Sequence, residues 1–356
     1  MSERLPVTVL TGFLGSGKTT LLSRLLQRPE MKNTAVIINE FGEVGLDHEL
    51  IRTGDETVAL LESGCVCCTL RSDLADTLKD LFLKRVKGQI PEFDRVIVET
   101  TGLADPAPLL HTLIVEPLTA ARYKLEGVVT TIDAVNADAE LDVHREAVKQ
   151  AAVADRIVLT KTDIASPEMI ERVRARLHDI NPAAVPIEAS HGEVDPDRLF
   201  GMSLDARGDR LEAWLAADAY AERHDHHHDH DHPDHGHGHH DHDHAHHHHD
   251  GIESFCLAYA EPLPWDALAE ALDRLVSISG DKILRIKGIL DIEGQDKPVV
   301  IHGVQHLFHP PSQLAGWPEG APRNSRLVFI THDVARDVIQ RSLDLFLDRA
   351  RLQAGS

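Results

Sequence analysis

Residues Gly12 to Thr19 read G-F-L-G-S-G-K-T and fit the pattern G-x-x-x-x-G-K-[ST]. A β-branched apolar run at 7–10 feeds this loop, and Leu21, Leu22, Leu25 and Leu26 follow it at helical spacing. Gly12, Gly15 and Gly17 permit backbone conformations that aim several N–H groups at one centre. The helix opening near Lys18 adds its positive end, so the pocket suits phosphate. Lys18 is expected to reach the β- and γ-phosphates and Thr19 to ligate Mg²⁺, with Ser16 and Thr20 counted among the binding residues. The chemistry implied is binding of a nucleoside triphosphate.

Three further stretches bear on that chemistry. Val96-Ile97-Val98-Glu99-Thr100-Thr101-Gly102 is an apolar strand ending in an acid. Glu99 can reach the Mg²⁺ sphere, directly or through water, and the Gly102 N–H can contact a γ-phosphate and release it on hydrolysis. Leu159-Thr160-Lys161-Thr162-Asp163 resembles a guanine-reading N-K-x-D loop with Thr160 in place of Asn. Asp163 can accept from guanine N1–H and its exocyclic amine, and the Lys161 stem can lie against the base. GTP is therefore expected over ATP, with selectivity softened at Thr160. Ser190 falls where a last base-contacting loop belongs.

Gly64-Cys65-Val66-Cys67-Cys68 places three thiols within four residues. A strand cannot aim all three one way, so a loop is expected, converging Cys65, Cys67 and Cys68 on a soft or borderline ion. A fourth position is left for Glu43, water or a recipient's ligand. Residues 39–47, rich in acids, follow a strand and are read as a nucleotide-sensing switch between the phosphate loop and the cysteines. Residues 224–249 hold 16 of the 25 histidines, interleaved with Asp. That tract is expected to be disordered without a ligand and to bind several divalent ions weakly. His302, His306 and His309 are a weaker candidate site, and Cys256 reads as core.

The elements that must position these groups alternate strand and helix. Strands are expected at 7–10, 34–38, 57–60, 95–98, 127–132, 156–159 and 184–187, and helices at 72–86, 106–118, 144–152 and 167–178. This describes an α/β domain, a P-loop NTPase with a mainly parallel sheet, over residues 1–222. A helix at 207–221 leads out of it. After the linker at 223–250 a smaller α+β domain spans 251–350, with strands at 255–259, 282–292, 298–308 and 326–330 and helices at 265–275 and 334–347. The chain has 356 residues and a formal charge of −22, which argues against a nucleic-acid surface and suits cationic partners. No apolar run reaches membrane-span length, no signal peptide is evident, and four cysteines make no disulfide scaffold. A cytoplasmic location is expected.

These stretches resemble the CobW family of P-loop GTPases, a metallochaperone group related to the nickel-delivery GTPases of hydrogenase and urease maturation. TGFLGSGKTT, INEFGEVGLD, SGCVCC, IVETTGLADP and LTKTD carry the likeness, with KILRIKGIL and HGVQHLF matching the family's C-terminal domain. The resemblance implies slow GTP hydrolysis, with Gly12–Thr19 on phosphate and Mg²⁺ and Thr160–Asp163 on guanine; Lys18, Glu99 and Gly102 are read from their own motifs as the catalytic set. It also implies transfer of Zn²⁺ or Co²⁺ from Cys65, Cys67 and Cys68 to client metalloproteins; among Zn²⁺, Co²⁺ and Ni²⁺, zinc is favoured because a thiolate-rich site with an available carboxylate suits it. The alternatives are a metal store or sensor whose nucleotide site only gates binding, and a cobalt chaperone for cobalamin biosynthesis. No sequence mark of a small-molecule kinase's acceptor pocket is present.

Overall fold

The computed structural model describes residues 4–38, 51–52, 58–60, 66–69, 74–201, 215, 220, 251–317 and 322–354, the segments from 51 to 69 by backbone alone. Strands β1 (Leu5–Gly12), β2 (Thr34–Ile38), β3 (Ile51–Arg52), β4 (Val58–Leu60), β5 (Val66–Thr69), β6 (Arg95–Glu99), β7 (Tyr123–Asp133), β8 (Arg156–Thr160) and β9 (Ile187–Glu188) share one sheet. Its order is β3-β4-β5-β2-β6-β1-β7-β8-β9. From β5 to β9 along that order all neighbours are parallel, while β3 and β4 fold back as an antiparallel edge. Because all these parallel strands end on one side, the loops after β1, β6, β7 and β8 gather at one edge, where α/β sheets take their ligands.

Helices cover both faces. Helix α1 (Lys18–Leu26) packs Leu21, Leu22 and Leu25 with Val36 and Ile38 of β2. On the other face α2 (Leu74–Val86) and α3 (Ala107–Val115) pack Leu74, Leu78 and Leu110 with Ala35 and Ile37. Alternate β2 residues thus enter different cores, which is why the strand is apolar at every position. Next come α4 (Pro117–Arg122), α5 (Ala137–Val143), α6 (Arg145–Val153) and α7 (Pro167–Ile180).

The second sheet contains β10 (Ile252–Tyr259), β11 (Ile283–Leu290), β12 (Val299–Val304), β13 (Leu307–Phe308), β14 (Ser312–Gln313) and β15 (Ser325–His332), in the antiparallel order β10-β15-β11-β12-β13 with β14 beside β12. Helices α8 (Trp265–Ser279) and α9 (Arg336–Ala354) cover one face through Leu268, Leu272, Ile339 and Leu343. The other face lies on the first domain, where Leu284, Ile289, Val300, Val328 and Ile330 join Ala147, Ala151, Val173 and Leu177 in one core. Strand β11 is consequently buried at all eight positions. A register shift between Ile283 and Arg285 turns both Leu284 and Arg285 toward the first domain.

The structure corrects several expectations. The helix expected at 106–118 is two helices, α3 and α4, because Pro117 cannot continue a helix and Glu116 instead caps the second through the Thr119 N–H at 2.7 Å. The strand expected at 298–308 breaks at Gln305-His306 into a hairpin. The cysteine segment, expected as a loop, has strand β5 at Val66–Thr69, since the exposed edge of β2 takes a hydrogen-bonding partner there. Helix α5 was not anticipated. Of the helix expected at 207–221, Leu215 and Tyr220 are described, both helical and buried. The segment 39–47 with Glu43, Cys65 and the His/Asp tract lie outside the described residues.

Candidate functional site

The phosphate loop runs from the end of β1 into α1 and is built against β7. Gly12 has φ 143°, and a Cβ there would collide with the Thr131 hydroxyl and carbonyl. Gly17 caps α1 in a left-handed conformation, φ 89°, which favours glycine. The Ser16 hydroxyl is turned inward to the Thr131 hydroxyl at 2.7 Å and is fully buried, so its side chain fixes the loop. Lys18 is 8% exposed, and its Nζ donates to the Gly12 carbonyl at 2.9 Å and the Phe13 carbonyl at 3.0 Å. An ammonium held on its own loop's carbonyls stands where phosphate oxygens would replace them. Thr20 is exposed beside Gly192, and Phe13 stacks on His144 at 4.5 Å.

Beside this loop the Thr19 hydroxyl donates to Glu99 Oε1 at 2.7 Å, joining α1 to the end of β6. A hydroxyl and a carboxylate oxygen so placed form the hard-oxygen set that Mg²⁺ takes together with phosphate oxygens and water. The residues present therefore fit that ion. Thr100 Oγ1 donates to Thr11 Oγ1 at 2.8 Å and locks the two strand ends together. Gly102 is packed so closely on the phosphate loop that a Cβ would fall 2.6 Å from the Leu14 nitrogen. Only glycine permits that approach.

On the far side of the loop Thr160 is 4% exposed, and its hydroxyl lies 2.7 Å from the Ser16 carbonyl and 3.1 Å from the Ile132 carbonyl. Thr160 ties the base-side loop to the phosphate loop. Lys161 adopts φ 57°, and its Nζ meets Asp133 Oδ2 at 2.6 Å. Burial alone would raise the Asp133 carboxyl, but Lys161, Asn136 and the Val135 N–H outweigh it and hold it low. Asp163 faces the His191 N–H and Nδ1, both at 3.4 Å, long contacts that a better donor can displace. Ser190 is exposed and bridges to Glu193. Burial, then the Asp133 charge, push the Glu140 carboxyl of α5 upward, with Lys161 and Lys18 opposing.

Asp133, Glu140, Gln150 and His191 were not singled out from the sequence. For Asp133 the signal existed, an apolar strand ending in an acid, as at Glu99. The others act through tertiary contacts that carry no local pattern.

The cysteine strand sits one strand from β6. Across β2, Ile38 pairs with both Thr69 and Glu99, and Ile37 with both Cys68 and Val98. At about 4.8 Å between strands, the backbone of Thr69 is about 10 Å from that of Glu99. Among the described residues no group of three His, Cys, Asp or Glu side chains could hold a metal. His302 and His309 stack at 3.5 Å, but His306 turns away to Asp281 Oδ1 at 2.6 Å, so the three do not converge. Cys256 is half-buried against the interdomain core. No helix among the described residues is long and apolar enough to cross a membrane.

Residues 6–188 match the family pattern of the CobW/HypB/UreG nucleotide-binding domain, and residues 252–347 that of the cobalamin synthesis protein cobW C-terminal domain. The chain belongs to the CobW family. Among relatives, it is 34% identical over 324 residues to the zinc chaperone YjiA of Escherichia coli, covering 91% of this chain and 93% of that protein. It is 33% identical over 372 residues to the zinc chaperone CobW of Pseudomonas aeruginosa, covering 96% and 91%. Its fold superimposes on the crystal structure of Zn(II)-bound YjiA GTPase from E. coli with a TM-score of 0.71 and 31% identity, covering 97% of this chain and 99% of that one. CobW-family membership thus accounts for both domains, the P-loop sheet and the antiparallel sheet packed upon it.

Proposed function

We propose that the chain is a GTP-hydrolysing metallochaperone that takes Zn²⁺ as cargo at Cys65, Cys67 and Cys68 and passes it to client metalloproteins. The observation that carries this reading is the register across β2, which sets the cysteine strand level with the Glu99 end of β6. Relatives named zinc chaperones, aligned over nine-tenths of the chain, support it.

In this reading the backbone N–H groups of Gly12–Thr19 and the Lys18 ammonium hold the triphosphate and stabilise the charge that develops on its γ-phosphate. Thr19 and Glu99 would hold Mg²⁺, which supplies charge neutralisation at the phosphates. Lys161, fixed by Asp133, presents Asp163 to the guanine edge. The Gly102 N–H senses the γ-phosphate, and its release on hydrolysis changes the cysteine site through the segment 39–47 that contains Glu43. A coupling of about 1–3 kcal/mol would alter metal affinity some 5- to 150-fold.

The test is zinc-stimulated GTP turnover, compared between the wild type and the Cys65→Ser/Cys67→Ser/Cys68→Ser variant. Stimulation is expected in the first and lost in the second. Equal stimulation would reduce the molecule to two unconnected sites. The histidine tract favours a second reading, a metal store gated by nucleotide. Deleting residues 224–249 separates the two: a store loses its role with its capacity, whereas a chaperone keeps metal-stimulated turnover at the cysteines.

A further inference from the structure

The loop between β6 and α3 carries Gly102, and it is gripped from both domains. From α6, fully buried Gln150 donates through Nε2 to the Gly102 carbonyl at 3.2 Å and the Ala104 carbonyl at 3.1 Å. From the C-terminal domain, Gln305 Nε2 donates to Asp105 Oδ2 at 3.0 Å, an oxygen shared with Lys149 Nζ at 2.9 Å. Asp105 Oδ1 instead accepts the Ala107 N–H at 3.0 Å and serves the start of α3. The two carboxylate oxygens therefore have separate tasks, one local to the helix and one reaching 200 positions along the chain.

Gln305 is an odd choice for its turn. It and His306 form the two-residue connection between β12 and β13, and Gln305 has φ 53°. Tight hairpins put Gly, Asn or Asp at such a position, because their backbones adopt positive φ at little cost. A glutamine held there marks a residue kept for its side chain. The hairpin is firmly seated, since Val304 packs with Leu110, Leu113 and Ile114 of α3. Thus the tip of the second domain rests on the helix that follows Gly102, and the side chain of its positive-φ residue closes on the loop itself.

We propose that Gln305 is a positioning residue for nucleotide hydrolysis, through which the C-terminal domain holds the Gly102 loop against the phosphate loop. This rests on the GTPase reading above. Gln305→Gly removes the side chain while relaxing the turn. It is expected to keep or raise the melting temperature while kcat for GTP falls about five- to tenfold, with KM and GDP affinity within about twofold of wild type. Gln305→Lys restores a donor to Asp105 and is expected to recover kcat. In the Asp105→Ala background Gln305→Gly should bring no further loss. An unchanged kcat in Gln305→Gly, a loss that Gln305→Lys does not relieve, or full additivity with Asp105→Ala would each overturn the proposal.

A second readout needs no turnover. In nucleotide-free protein, amide hydrogen exchange over residues 100–106 should quicken in Gln305→Gly, and an unchanged rate rejects the contact as a restraint. If the wild type hydrolyses no GTP, the GTPase reading falls, and the exchange measurement then decides on the latch by itself.

Discussion

Thr160 shows how a single hydroxyl can change what a motif means. As the first residue of a T-K-T-D loop it reads as a lost base contact, because an Asn amide is absent. In the fold its hydroxyl is taken up by the carbonyls of Ser16 and Ile132. Thr160→Val should therefore leave the preference for GTP over ATP unchanged while weakening both nucleotides about tenfold, since a buried carbonyl of the phosphate loop loses its donor at a cost of about 1–3 kcal/mol. Competitive displacement of a fluorescent GDP by each nucleotide measures this, and a selective loss for GTP would return Thr160 to the base. The phosphate loop, Glu99 and Gly102 were legible because their chemistry needs fixed spacing within a few residues. Asp133 had the same strand-end signature yet went unread, as its partner Lys161 lies 28 positions away. Gln150 and Gln305 had no local signature at all.

At the scale of elements, β11 is the instructive case. Its segment KILRIKGIL sets Arg285 and Lys287 two apart, the pattern of a strand with one face in water. Instead both basic residues are buried against the first domain on Asp155. A strand's period reports that its faces differ, not that one is wet; a second domain with a buried carboxylate satisfies the same pattern. Burial alone would raise the Asp155 carboxyl, but Arg285, Lys287 and the Val128 N–H hold it far below the usual range. Burial, then Arg285, push the Lys287 ammonium down to about 7, so Arg285 is the cation that carries the pair above neutrality. Asp155→Asn strands that guanidinium in the interface and should cost about 3–5 kcal/mol in urea unfolding at pH 8. Replacing Asp155, Arg285 and Lys287 together by Leu, Met and Met should recover most of the loss. A single variant as stable as wild type would mean that water reaches the site.

Across the whole molecule, acid acts at two places with different outcomes. The 25 histidines, 16 of them in the tract, more than cancel the formal charge of −22 when all are protonated. Imidazolium cannot ligate a metal, so an ion proposed for the tract should be released on acidification. The His302–His309 stack behaves otherwise. Burial pushes His302 well below its ordinary value, with His309 adding to the effect. Burial also pushes His309 down to about 3, Arg285 reinforcing it and Asp155 opposing it. Native His309 therefore stays neutral between pH 6.5 and 3 while the unfolded chain's imidazole takes up a proton. The unfolded state binds more protons in that window, so stability rises with pH and is lost on acidification. From pH 7.5 to 5 the loss from His309 amounts to about 2 kcal/mol. In metal-stripped protein, the unfolding free energy from urea titration should drop steeply between pH 7.5 and 5.0 for the wild type and by about 2 kcal/mol less for His309→Gln. Deleting the tract should leave the difference between wild type and His309→Gln intact, because that difference belongs to the His302–His309 stack. Equal drops in wild type and His309→Gln would mean that the stack opens to solvent on acidification and that His309 is protonated as readily in the native state as in the unfolded one.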